Sequence, residues 1–312
     1  MRINIYHRHF NYKIMKRIFS LLFIFTAVAL QAQTFKLEFK PVAGTEYPVN
    51  MEVIQDMTIK VPAMGDMTTH TEQKIGAVLT LVEEVEKGYL METKLNRFTI
   101  ISSAQGQSQS FDSEGEDVVS QAIKAILEKP YRLVIAHNGE VLEMMPLDTA
   151  FFTKADETLA TQYAKRKREA TMTQIKALFG ESTLKNVAQA GLTKFPAKDL
   201  KVPSVWTEDT PSDELGAIIT TQYRVDNYAD NKVTLMAKMV LMSNPNAKKP
   251  EGPQRMENIS GNGDATNIVD AVSGWVVETK GKQNIAGQLV VEQGGQSQSY
   301  DVTMAISTVI TR

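Results

Sequence analysis

The sequence predicts an α+β fold, a long, curved, mostly antiparallel β-sheet of half-barrel-like form with helices from the middle of the chain packed on one face. Three observations predict it. Apolar and polar residues alternate through both halves of the chain, the period that puts every second side chain on one side of a pleated strand. Asn138-Gly139 separates two apolar runs, and both residues tolerate the positive φ that a tight hairpin needs. Between the two β-like halves lies a stretch rich in Ala, Lys, Arg, Glu and Gln with apolar residues near helical spacing.

The strands follow in order. Val49, Met51, Val53, Met57, Ile59 and Val61 share one face, and Ile75, Ala77, Leu79 and Leu81 share another. Glu86-Lys87-Gly88 turns the chain into Tyr89, Met91, Thr93 and Leu95; the apolar phase then slips from odd to even positions at Phe98 and Ile100, which a β-bulge explains. Around Asn138-Gly139 a two-residue turn pairs His137 with Glu140, Ala136 with Val141 and Ile135 with Leu142. The second half runs Leu215 to Val225, a turn at Asp230-Asn231, and Val233 to Leu241. Strands Asn267–Thr279, Gln283–Glu292 after a Lys280-Gly281 turn, and Tyr300–Ile310 close the chain. Between Ser243 and Asp264 the composition turns to Asn, Pro, Lys and Gly, which reads as a long flexible loop able to serve as a lid.

The helices occupy the centre. Ser113 and Glu116 form a capping box for a helix over Asp117 to Glu128, which Pro130 stops. A longer helix runs roughly from Asp148 to Phe179, where Gly180 breaks it, and a short one from Ser182 to Ala190 ends at Gly191. One short repeat, Gly106-Gln-Ser-Gln-Ser-Phe111-Asp112 and Gly295-Gln-Ser-Gln-Ser-Tyr300-Asp301, has unmatched flanks and reads as a reused polar turn rather than a duplicated domain.

The first 32 residues hold five basic and no acidic side chains, then an apolar run from Ile18 to Leu30. That is the pattern of a secretory signal peptide, too short for the roughly 20 residues of a bilayer span. Cleavage after Ala32 and cleavage after Ala29 are both open. Met15 begins a leader of ordinary length, so residues 1–14 read as an upstream extension, and residues 33–312 as a single domain. Leader removal leaves 29 basic against 36 acidic side chains, a net −7 in place of −2. The expected location is exported: periplasmic, outer-membrane-associated or extracellular. The absence of Cys excludes disulfides, thiolate metal sites, cysteine nucleophiles and a lipobox anchor, and suits an oxidising compartment.

Catalytic patterns are missing from the sequence. His70 and His137 are the only histidines past the leader, and neither belongs to a metal-binding spacing. No Gly-x-Ser-x-Gly elbow, Ser-x-x-Lys or phosphate-binding glycine loop occurs. Lys165-Arg166-Lys167-Arg168 would fan over about 300° of a helix, so it forms no flat basic face, and the charge balance gives no surface for nucleic acid. The expectation is a protein without enzymatic activity, cofactor or metal.

The 15 methionines are the feature closest to a binding signal, because thioethers either fill irregular cores or line adaptable apolar pockets. Met51, Met57, Met91, Met239, Trp275 and Met304 are the candidate lining of a ligand cavity between sheet and helices.

Several landmarks together resemble a family of exported bacterial envelope proteins, domain of unknown function 6263. They are Phe111-Asp112-Ser113, Tyr131-x-Leu133-x-Ile135 leading to Asn138-Gly139-Glu140-Val141-Leu142-Glu143, Phe195-Pro196, and Lys201-Val202-Pro203-Ser204-Val205-Trp206. At the last site the family usually has Gly-Asp-Ser-Trp, so the turn departs from the pattern. The resemblance implies export and a β-rich fold; it brings no activity, substrate or catalytic residue. The expected function is an exported envelope protein that binds a lipid or other hydrophobic or amphiphilic ligand between sheet and helices. The alternative is a periplasmic or outer-membrane scaffold that contacts a protein partner and holds no small ligand.

Overall fold

The computed structural model describes residues 34–62, 65–212, 215–246, 254–293 and 296–312. The chain divides into two units, Met1–Phe35 and Lys36–Arg312, and the sheet and helices below belong to the second. The expected leader and both cleavage positions lie outside the described residues.

Alternation in the sequence becomes strands β1 (Glu46–Val61), β2 (Gly65–Val85), β3 (Gly88–Ala104), β4 (Gln107–Asp112), β5 (Tyr131–Ile135) and β6 (Val141–Met144) in the first half. The second half supplies β7 (Val205–Ser212), β8 (Ala217–Ala229), β9 (Lys232–Ser243), β10 (Gln254–Asp270), β11 (Val276–Gln293) and β12 (Gln296–Thr311). Among the described residues there are four short helices: α1 (Val118–Leu127) between β4 and β5, and α2 (Thr153–Ala160), α3 (Lys165–Leu178) and α4 (Glu181–Ala190) between β6 and β7. All strands join one open sheet in the order β6-β5-β3-β2-β1-β12-β11-β10-β9-β8-β7, with β4 beside β5 on the outer edge of β3. Every pairing is antiparallel, as expected, and the sheet dominates the fold more than an α+β label suggests. Each half is a meander, and the two are sewn together by β1 and β12, paired from Asn50–Thr311 to Lys60–Asp301.

Register fixes which side chains share a face. Met51 lies across from Ile75 and Ile310, Ile310 from Thr279, Thr279 from Asn267 and Asn267 from Leu235, so one row runs along the inward side. Helices cover part of that side. Ala122, Ile123, Ile126, Phe179, Leu184 and Val187 pack with Tyr47, Leu79, Met91, Phe98 and Leu133 of the strands, all at 2% exposure or less. Trp275 sits in the same core against Tyr47 and Phe39, with ring centroids at 5.0 and 5.9 Å. The stretch before β1 straps the halves together: Phe39 N donates to His137 O (2.7 Å) and Lys40 N to Ser273 O (2.8 Å). Among the described residues no helix is long and apolar enough to cross a membrane.

Several expectations hold at the level of single residues. Asp230 and Asn231 both have positive φ (52° and 56°) between Ala229 and Lys232, as a two-residue hairpin turn requires. The bulge in β3 falls at Asn96, with Gly76 opposite Arg97 and Ala77 opposite Leu95. The repeated Gly-Gln-Ser-Gln-Ser segments enter β4 and β12, each returning along the strand that precedes it.

Others are corrected. Asn138-Gly139 makes a three-residue loop, not two: Gly139 N bonds Ala136 O (2.9 Å), Ala136 N bonds Glu140 O (2.8 Å), and Ile135 lies opposite Val141. A type I turn closed by a glycine at φ +84° shifts the register by one residue. His137 packs edge-on against Tyr89 at 4.8 Å, and Glu140 pairs with Lys194 at 3.3 Å. The cap of α1 is Asp117, which accepts from the backbone of Val119 (2.8 Å) and Ser120 (3.1 Å). Ser113 instead is buried, accepting from Phe98 N at 3.0 Å.

The single helix expected over Asp148 to Phe179 is two, α2 and α3. Leu159 and Ile175 are both fully buried, yet on one continuous helix they would point about 160° apart, so the break at residues 161–164 lets both face the core. Lys280-Gly281 is no turn but the middle of β11, where Gly281 lies opposite Ala265; the turn is built earlier, by Asp270 accepting from Val272 N and Ser273 N at 2.9 Å each. The loop expected from Ser243 to Asp264 is β10 from Gln254 onward, because its Asn, Ser and Gly alternate with a half-buried face; residues 247–253 lie outside the described residues. Gly191 ends α4 at φ −83°, so a left-handed cap is not its role. A Cβ there would come within 2.6 Å of Trp275 and 2.8 Å of Val49, and packing demands the glycine.

Trp275→Ala is expected to destabilise the fold by about 3–5 kcal/mol in urea unfolding, as for other large-to-small changes in a closed core. Val272→Ala, at a 66% exposed position in the same turn, should change it by less than about 0.5 kcal/mol.

Candidate functional site

The inward face extends beyond the helices. One row there runs Met57, Met304, Ile285, Gly261, Leu241, Ile219, and the next Gln55, Ile306, Gln283, Gly263, Met239, Thr221. Two glycines in adjacent rows lower the floor, and neighbours fold over them. A Cβ on Gly263 would meet Gln283 Cγ at 2.7 Å and Met239 Cε at 3.2 Å; one on Gly261 would meet Ile285 Cγ1 at 3.3 Å. Leu241 is buried with Ala217 and Ile259, while Leu215, Ile219, Met256 and Ile285 remain half-buried around them; no helix residue joins this cluster. A pocket of about 90 Å³ opens among Leu215, Ile219, Met239, Leu241, Gln283 and Ile285. Polarity reaches it through the amides, since Gln283 Nε2 contacts Met239 Sδ at 3.6 Å and, further along the face, Gln55 Nε2 contacts Met304 Sδ at 3.7 Å.

The six candidate lining residues do not converge on one cavity. Met91 and Trp275 are fully buried in the packed core under the helices, and Met51 packs against that core. Thioether and indole there fill volume, so the space between sheet and helices is occupied by side chains. Met57 and Met304 face each other across β1 and β12, and Met239 alone of the six lines the apolar pocket. Ile219, Leu241, Gln283 and Ile285 were not singled out in the sequence. Their alternation marks a strand face, and nothing local distinguishes a face covered by helices from one left open.

On the opposite, outer face, His70 donates or accepts at both ring nitrogens: Nδ1 lies 2.7 Å from Asp56 Oδ1 and Nε2 3.3 Å from Glu72 Oε1. Ser103, across the strands from His70, turns its hydroxyl to Ser108 at 3.3 Å, and a carboxylate occupies the ring nitrogen that a serine nucleophile would need. The carboxylate of Asp56, and then that of Glu72, raises the His70 pKa above 6.5. Among the described residues no three His, Asp or Glu side chains are placed to hold a metal ion. Trp206 and Tyr223 stack at 5.1 Å between β7 and β8; burial raises the Tyr223 pKa, and the pair closes that end of the sheet.

These features define a class, an open antiparallel sheet with partial helical cover and an uncovered apolar stretch. The chain belongs to the Family of unknown function (DUF6263), whose model matches residues 86–276, from the β2–β3 turn to the first residue of β11. No curated protein matches it. Among solved structures, that titled "Lipid-protein interactions in lipovitellin" is 12% identical with a TM-score of 0.47, over 88% of this chain and 25% of that one. DynF from the dynemicin biosynthesis pathway of Micromonospora chersina is 7% identical with a TM-score of 0.20, over 89% and 85%. This chain thus spans about a quarter of the lipovitellin chain. Neither likeness is strong enough to transfer a fold or a ligand.

Because protonation strengthens both contacts of His70, their stabilising effect is complete below pH 6.5 and fades as pH rises through the raised native value. An NMR titration should place the His70 midpoint above 6.5, and Asp56→Asn should lower it; a midpoint unmoved by that change would refute the pairing.

Proposed function

We propose that this is an exported protein of the cell envelope that binds a hydrophobic or amphiphilic ligand and does not transform it. The ligand lies on the uncovered stretch of the inward face and not between sheet and helices. The observation that carries this reading is the pocket among Leu215, Ile219, Met239, Leu241, Gln283 and Ile285, continuous in register with Met304 and Met57. Its volume of about 90 Å³ is well below the roughly 300–1,000 Å³ of pockets that enclose whole ligands. It suits the end of an acyl chain, whose remaining methylenes run across the strands and gain about 0.8 kcal/mol each when buried. Met239, flexible at three bonds, adapts the pocket to chains of different shape, and the Gln283 and Gln55 amides offer polar contacts to an amphiphile. The export part of the reading rests on the leader of residues 1–32.

Two measurements test it. Native mass spectrometry of protein purified from the envelope should show an added mass that organic extraction releases as lipid, and a fluorescent fatty acid should bind with an affinity that Met239→Glu lowers about tenfold or more. Ligand-free protein together with equal binding by the variant would sink the assignment. Terminal peptide mapping should find the exported chain starting at Gln33 or Leu30; protein retained in the cytoplasm with residues 1–32 attached would refute export independently of binding.

A further inference from the structure

Charge divides the two faces of the sheet beyond the helices. The inward rows through Met57 and Gln55 continue onto β2 at Thr69 and Thr71 and onto β3 at Ala104 and Ser102. A third inward row runs Met67, Ile59, Val302 and Gly287. From β3 to β8, about 34 Å at about 4.8 Å per strand, no position in these rows is Asp, Glu, Lys, Arg or His. The outer row that alternates with them carries Glu72, Lys282, Asp264 and Lys238, as expected of a surface in a chain with 22% charged residues. Past Thr221 the inward row reaches a charge at Glu208 of β7, and there Lys194 lies 3.5 Å away. Within the uncharged stretch two amide donors rest on sulfur, Gln283 Nε2 on Met239 Sδ at 3.6 Å and Gln55 Nε2 on Met304 Sδ at 3.7 Å. A thioether is a weak acceptor, so either amide gains by exchanging it for a carbonyl oxygen.

We propose that the occupant of this face is an uncharged long-chain ester, such as an acylglycerol, whose carbonyl accepts from the Gln283 amide while its chain fills the pocket beside Met239. This rests on the apolar site proposed above and names the chemistry of its ligand. Gln283 lines that pocket, which places a donor where the polar end of the chain leaves it. The amide also offers an acceptor to a glycerol hydroxyl. A carboxylate, phosphate or ammonium laid on the same rows loses water and gains no counter-charge, which costs far more than covering an ester that keeps one hydrogen bond. A free fatty acid therefore still binds through its chain, but more weakly than its ester. Gly261, Gly263 and Gly287 lie side by side on this face, and flexible neighbours close over two of them: a Cβ on Gly263 would meet Met239 Cε at 3.2 Å, and one on Gly287 would meet Met256 Cε at 3.1 Å. Thioethers seated in glycine notches swing aside at little cost, which makes room for acyl chains without moving a strand.

The test is displacement of the uncharged dye Nile red from the full chain at about pH 8, where carboxylate and ammonium are both ionised. The competitors share one hydrocarbon chain: monopalmitoylglycerol, methyl palmitate, palmitate and hexadecylamine, each below its micellar concentration. The two esters should displace the dye at concentrations about tenfold or more below those of the two ions. Gln283→Lys should reverse the order for palmitate alone, lowering its concentration for displacement about tenfold, and Gln55→Lys, checked for folding by circular dichroism in the same way, serves if Gln283→Lys does not fold. Lys282→Ala, on the outer face, should leave all four unchanged. Palmitate or hexadecylamine binding as tightly as the esters would overturn the ester assignment and leave the apolar site standing. Failure of the dye and of all four competitors to bind would remove the site itself.

Discussion

The pairing of β1 with β12 is the contact on which the rest of the molecule depends. Each half of the chain is a meander with hydrogen-bonding groups exposed along its inner strand, and an unpaired strand of that length is a liability in water. Eleven residue pairs from Asn50–Thr311 to Lys60–Asp301 remove both open edges at once. They also bring Ile310 into the core of the other half and set the inward rows of β11 and β10 in phase with β1. The outermost strands that remain are short or marked against pairing: β4, of six residues, β6, of four, and β7, which carries Glu208, Asp209 and Pro211, charges and a missing donor that discourage further pairing.

Burial on the inward face is uneven, and the unevenness separates stability from binding. Under the helices Phe39, Met91, Phe98, Leu133, Phe179 and Trp275 are closed to solvent; a core packed that tightly leaves no vacancy for a ligand. Beyond the helices the same alternation continues through Met57, Met304, Ile285 and Ile219, half-buried and without helical cover. The strands are simply longer than the layer that covers them.

Much of this was legible in the sequence because it is local. Periodicity of two marks the strands, Asp230-Asn231 marks its turn, and the phase slip before Phe98 marks the bulge at Asn96. What failed was non-local. Lys280-Gly281 resembles a turn until Ala265 and Thr308 are seen on either side of it. Residues 254–264 read as a loop because Asn, Ser and Gly are common in loops, and only pairing with β9 and β11 makes them a strand. The helical stretch reads as continuous because composition does not record that Leu159 and Ile175 must meet one core. Strand alternation identifies the face a methionine occupies but not whether a helix lies over it, so periodicity does not distinguish Met91 from Met239.

The position of β12 at the centre of the sheet also has a kinetic meaning. Strands that hydrogen-bond across some 250 positions of sequence close the longest loop among the described strand pairings, and contacts of that span form slowly. A ribosome delivers β1 long before β12 exists, so the seam between the two halves closes late in synthesis. Until then the edge of β1 that β12 covers stays open to other strands.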